Sequence, residues 1–231
     1  MIKVVHYINQ FFAGIGGEDK ADAPFEIRTG AVGPGRVLQL ALGDRATVVQ
    51  TLVCGDNTFH EKRDDVIEAV LKALQETEAD LLIAGPAFNA GRYGLACAAI
   101  CAAAKESLAL PAITGLFPGN PAVDVYHDRV VIVPTGNSAV SMKEAIGAVA
   151  RVGMKLAAGE QLRPAAEEGT IPMGYRANWV VDTPAAVRAV DMLLAKMHGL
   201  PYHNEVVLPP QAEPVQPAAP VPDLSRATIA L

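Results

Sequence analysis

Arg129-Val130-Val131-Ile132-Val133-Pro134-Thr135-Gly136-Asn137-Ser138 sets an unbroken apolar run against a loop of glycine and small polar residues, and a helical pattern follows it. A strand with one face in water alternates apolar and polar side chains. Four consecutive branched aliphatics instead fit a strand covered on both faces, as in a parallel sheet with helices above and below. Working outward, similar runs occur at residues 2–7, 47–54, 80–84 and 112–115, with helix-like segments between them. That alternation is the signature of βαβ units. The expected fold is therefore α/β, an open doubly wound parallel sheet of about five strands in flavodoxin-like order, with the first strand central.

The helices carry their own periodicity. Val66, Ile67, Val70, Leu71 and Leu74 form one stripe, so residues 61–76 are expected as one helix, with Thr58-Phe59-His60-Glu61 as a capping box. Further helices are expected at about 92–107 and 138–158, the latter closed by Gly159, and a short one between Pro34 and Gly43. Residues 184–198 repeat Val187, Val190, Leu193, Leu194 and Met197 at helical spacing and are expected to pack on the sheet. Residues 1–203 then form one α/β domain. Residues 209–222 hold six prolines, so residues 204–222 read as an extended linker. Residues 223–231 read as the start of a truncated or separate second domain.

Bulk composition narrows the function. Nineteen Lys and Arg against twenty-five Asp and Glu give a net charge of −6, the wrong sign for a nucleic-acid binder. The longest apolar run, residues 95–104, is far shorter than the roughly 20 residues a membrane helix needs. The first residues show no signal-peptide layout, and three cysteines make no disulfide framework, so a cytoplasmic protein is expected.

In open α/β sheets ligands bind outside the carboxyl ends of the strands. Five loops lie there, each combining glycine with small polar side chains, and they nominate Asn9, Asn57, Asn89, Arg92, Tyr93, Asn137 and Ser138 as substrate-binding residues. Arg92 is expected to face the pocket and read a carboxylate. Ordinary turns and caps explain any one such loop equally well; their convergence on one edge is what favours a site. The stretch with Phe11, Gly14, Gly16, Gly17 and Glu18 lacks dinucleotide-fingerprint spacing and reads as a mobile or partner-docking loop. Cys54, at a strand end, is either a buried thiol or a reactive one. Cys97 and Cys101, four apart on a helix, read as small core residues. The five histidines form no ligand-spaced cluster, and no metal site is expected.

Three strings go further than composition: His6-Tyr7-Ile8-Asn9-Gln10-Phe11-Phe12-Ala13-Gly14-Ile15-Gly16-Gly17-Glu18, Ala84-Gly85-Pro86-Ala87-Phe88-Asn89-Ala90-Gly91-Arg92-Tyr93-Gly94, and Thr135-Gly136-Asn137-Ser138. Together they resemble the component B family of glycine, sarcosine and betaine reductases, the selenoprotein B family, over the whole chain. The resemblance implies the N-terminal part of the substrate-specific component of an anaerobic amino-acid reductase complex. That component binds a small amino acid or betaine for reductive deamination, and its carboxymethyl group passes to selenoprotein A. A pyruvoyl group on a companion subunit and a selenocysteine in the family's C-terminal half are implied with it, as is an oligomeric assembly. No catalytic residue is assigned within this chain, and none of its cysteines matches the selenocysteine position. The isolated chain is therefore expected to be inactive. A different class of function, a non-catalytic binding or assembly module, fits the same residues. A stand-alone enzyme with Cys54 as nucleophile is a third reading, one that lacks a histidine base placed by sequence.

Overall fold

Six strands form one sheet in the computed structural model, which describes residues 1–173 and 182–202. In chain order the elements are β1 (Ile2–Asn9), β2 (Glu26–Thr29), α1 (Gly35–Leu42), β3 (Ala46–Cys54), α2 (Asp56–Glu61), α3 (Arg63–Thr77), β4 (Leu81–Phe88), α4 (Gly91–Leu108), β5 (Ala112–Leu116), α5 (Pro121–Tyr126), β6 (Val131–Pro134), α6 (Met142–Ala157), α7 (Ala165–Glu168) and α8 (Ala185–Met197). The order across the sheet is β2-β3-β1-β4-β5-β6. β1 lies inside the sheet, pairing Val4 with Val48 on one side and with Leu81 on the other, but it is second of the five parallel strands and β4 is the middle one, so the first strand is interior rather than central. The expected doubly wound architecture is present, with one strand more than expected: β2 runs antiparallel at the edge, Ile27 opposite Leu52.

Alternate side chains of each strand enter different cores, because the strand period is two. Val5, Tyr7, Leu82, Ala84 and Ile132 pack under α3 and α4. Val4, Leu81, Ile83, Ile113 and Val133 pack under α1 and α6. α4 comes close to the sheet because its inner face is mostly alanine, glycine and cysteine; ten of its residues are buried. Dense packing around small side chains leaves little room for added volume.

The helix expected at 61–76 is broken. α2 begins at Asp56, directly after Gly55, so Thr58 lies inside it and caps nothing. The chain leaves helical geometry at Lys62 (φ −123°, ψ 41°) before α3 resumes. The apolar stripe was read correctly, since Val66, Val70 and Leu74 are buried. α6 starts at Met142, after a short 3-10 turn, rather than at residue 138.

Beyond α6, the carboxyl of Glu168 is buried and accepts from Lys155 Nζ at 2.6 Å and Arg151 Nη1 at 3.4 Å. The Lys155 hydrogen bond holds this carboxyl below the usual glutamate range. The described residues fall into two compact units, with α8 in the second. α8 forms where its periodicity placed it, but none of its side chains is buried, and Val187, Val190, Leu193, Leu194 and Met197 stay exposed. The proline-rich segment 204–222 and residues 223–231 lie outside the described residues. Among the described residues, no helix is long and apolar enough to cross a membrane.

Candidate functional site

A cavity of about 310 Å³ opens at the carboxyl ends of the parallel strands, lined by the loops after β1 and β4, the segment after β6 and the first residue of α2. Of the residues nominated from sequence, Asn9, Asn89, Tyr93, Asn137 and Ser138 line it, and Phe11, Gly17 and Glu18 complete one rim. Asn57 and Arg92 are not in its wall. Arg92 donates from Nη2 to the Glu18 carboxylate and from Nη1 to Asn57 Oδ1. Asn57 in turn donates to Asp22 Oδ1 at 3.1 Å. The expectation that Arg92 would face the cavity unpaired is thus corrected: it ties the loop after β1 to α2. Gly14 and Gly16 belong to that same loop but do not line the cavity.

The strand ends are held by amide side chains. Asn9, at the end of β1, accepts from Phe12 N–H at 3.2 Å and donates to Asp56 Oδ2 at 2.9 Å. Gln10 accepts from the Asp56 backbone N–H at 3.1 Å. Asn9 and Gln10 are both buried, so these bonds are shielded from competing water. Gly55 allows the adjoining loop to close on the start of α2: a Cβ there would fall 2.1 Å from the Ala21 carbonyl oxygen. Asn120, buried before α5, does not line the cavity but donates to the carbonyl of Phe88, which does, at 2.9 Å, and accepts from Ala122 N–H at 2.9 Å. Phe88 has φ 52°, a left-handed conformation that costs a non-glycine residue on the order of 1–3 kcal/mol. Such strain persists only where neighbours enforce it, and here it turns the chain into the cavity wall.

Four aromatic rings, Phe11, Phe12, Phe88 and Tyr93, line the cavity. Phe12 sits at its centre, 5.8 Å from Tyr93 and 6.5 Å from Phe88 between ring centroids. Beneath them the hydroxyls of Tyr7 and Tyr93 are buried without hydrogen-bond partners. Burial, and then the nearby Cys54 and Cys97 thiols respectively, push their ionisation well up, so both rings stay neutral.

The cysteines are poorly suited to nucleophilic work. Burial first, and then the Asp56 charge, push the Cys54 thiol up to about 12. Cys97 and Cys101 are buried and raised as well, burial being the main cause for each. A thiol of that kind is protonated at neutral pH, so of the two readings of Cys54 the burial favours the packed thiol over the reactive one.

Sequence reasoning passed over Asp56 and Gln10, although both sit in the nominated loops. One Asp56 carboxyl oxygen, Oδ1, is buried with no hydrogen-bond partner. Burial raises the Asp56 carboxyl above the usual aspartate range, against the lowering effects of Asn9 and Arg92. The only available signal was placement: an acidic residue directly after the glycine that ends β3.

Comparison with known proteins fits this geometry to a family. The profile of the glycine/sarcosine/betaine reductase selenoprotein B family matches residues 1–231. The chain is 44% identical over its whole length to the sarcosine reductase complex component B subunit beta of Peptoclostridium acidaminophilum, covering 52% of that protein. It is 45% identical to the glycine reductase complex component B subunit gamma of Symbiobacterium thermophilum, covering 53% of it. It is 42% identical to the betaine reductase complex component B subunit beta of Peptoclostridium acidaminophilum, again covering 53%. The chain therefore spans about half the length of these relatives. No solved structure matches it. The full-length profile match, together with relatives bearing all three substrate names at near-equal identity, places the chain in the glycine/sarcosine/betaine reductase selenoprotein B family.

Proposed function

We propose that this chain is the substrate-holding N-terminal part of component B in an amino-acid reductase complex, binding glycine, sarcosine, betaine or a close analogue at the carboxyl edge of its sheet. The supporting observation is the cavity itself: preformed, built from strand-end loops and walled by aromatic rings and amide side chains, in a chain of this family. Its size suits a small molecule. The chain's own part in the reaction is to bind and orient the substrate and to keep water from it. The electrophilic carbonyl and the nucleophile that accepts the carboxymethyl group would come from outside these residues, from the companion pyruvoyl subunit and the family's selenocysteine. Selenoprotein A is the proposed acceptor beyond them.

Calorimetric titration of the chain with glycine, sarcosine and betaine tests the assignment, alongside an Ala139→Trp variant. Ala139 lies at the cavity rim and is exposed, so the indole fills the opening without disturbing the core. At least one ligand is expected to bind the native chain and to lose its affinity in the variant. Binding of none, or binding that the indole does not affect, would remove the cavity as the substrate site.

A further inference from the structure

The cavity is acidic as well as aromatic. Among the described residues, two charged side chains line it, Glu18 and Asp56, and no lysine, arginine or histidine stands in its wall. Glu18 is neutralised by Arg92. Asp56 has no ion pair of its own: Asn9 donates to Oδ2 and Arg92 acts on the carboxyl only at longer range, while Oδ1 is buried without a hydrogen-bond partner. A buried carboxylate oxygen without a donor is costly, and a ligand that supplies one recovers that cost. Tyr93, fully buried with its hydroxyl likewise unpartnered, stands close enough for the Asp56 charge to disfavour its ionisation. Phe11, Phe12, Phe88 and Tyr93 line the same cavity, and an aromatic ring offers a cation the negative side of its quadrupole. A carboxylate placed among these groups meets two acids, and the nearby cation, Arg92, is already engaged by Glu18.

We infer that Asp56 is the residue that recognises the positively charged nitrogen of the ligand, and that the cavity therefore grips its substrate by the ammonium end rather than by the carboxylate. This rests on the reading of the cavity as the substrate site. It also orders the ligands by chemistry. A primary or secondary ammonium donates N–H to Asp56 Oδ1, whereas a quaternary ammonium has no N–H and is held by charge and the aromatic faces alone.

Two measurements at pH 7 test it. In competition against bound glycine, methylammonium is expected to displace the ligand, while acetate at the same concentration is not. This arm needs no mutation, so a folding defect cannot obscure it. In direct titration, Asp56→Asn keeps a side-chain acceptor for Asn9 but removes the charge. It is expected to weaken glycine binding by roughly ten-fold or more, the scale of losing a charged hydrogen bond. Arg92→Ala is expected to leave affinity unchanged or raise it, since it releases a second carboxylate.

Displacement by acetate, unaltered affinity in Asp56→Asn, or a ten-fold loss in Arg92→Ala would each overturn the assignment. The two levels remain distinguishable. Loss of binding in Ala139→Trp together with none in Asp56→Asn removes Asp56 while leaving the cavity in place; indifference to both removes the cavity itself.

Discussion

His6 shows how a single residue ties the fold to the site and gives it a pH response. Its Nε2 lies 2.7 Å from the Gly85 carbonyl, which can only accept, so Nε2 carries the proton; Nδ1 is buried without a partner. Burial lowers its pKa to about 4, the Gly85 hydrogen bond opposing the shift only partly. The folded pKa is thus below the unfolded value of 6.5. Between pH 6.5 and 4 the unfolded chain takes up a proton that the native one refuses, so stability falls as pH falls, by up to about 3 kcal/mol at pH 4. Urea melts at pH 7 and pH 4 are expected to show wild type losing about that much more than His6→Gln, which keeps a donor for Gly85 but does not titrate. Equal losses in the two proteins would mean that His6 is not held neutral. In sequence, His6 was one of five scattered histidines, and nothing local marked it. Arg92 and Asp56 were visible by their position in strand-end loops, but their partners were not. The Arg92 partner Glu18 is 74 residues away, and the importance of Asp56 depends on which of its oxygens is buried. Residue types at strand ends were legible; their pairing was not, because pairing is a product of the closed fold.

Among the elements, those with a strong period were legible and those fixed by tertiary contacts were not. β2 was missed because Glu26-Ile27-Arg28-Thr29 offers one apolar residue, itself half exposed, and owes its strand geometry to pairing with β3. The break at Lys62 was missed because the apolar spacing of α3 gives no sign of what happens before it. α6 was anticipated as a helix, and its glycines now separate two effects. A Cβ on Gly147 would meet nothing within 4 Å, whereas one on Gly153 would lie 3.2 Å from Leu81 Cδ2 and 3.3 Å from Ile113 Cγ2. Gly147→Ala therefore gains helix propensity without crowding and is expected to stabilise by about 0.5–1 kcal/mol. Gly153→Val forces α6 away from the sheet and is expected to destabilise by about 1–3 kcal/mol. Thermal melts of both variants check the pair. A destabilised Gly147→Ala, or a neutral Gly153→Val, would show that α6 does not pack as described.

For the whole molecule, the topology could be read because the five parallel strands are largely buried on both faces and announce themselves as apolar runs. The convergence of loops on one edge follows from parallel strands, whatever their side chains. What the molecule does with that edge depends on groups the chain itself must supply. Reductive cleavage of the C–N bond in glycine needs an activated amine and a strong nucleophile for the carbon. Cys54 ends β3 at the edge that forms the site, and burial pushes its thiol up to about 12, so it is protonated at pH 7. Cys54 is also fully buried, so access is blocked as well as ionisation. The purified chain, given glycine, sarcosine or betaine with a dithiol reductant, is expected to release neither ammonia nor acetyl phosphate. Under the proposed function, a complex that also holds a companion pyruvoyl subunit and a full-length component B is expected to turn over, and to keep its rate within about two-fold when Cys54 is replaced by Ala, since a protonated, buried thiol contributes packing but no chemistry. Product release by the chain alone, or a collapse of turnover in Cys54→Ala with the melting temperature unchanged, would return the nucleophile to this domain and overturn the proposed division of labour.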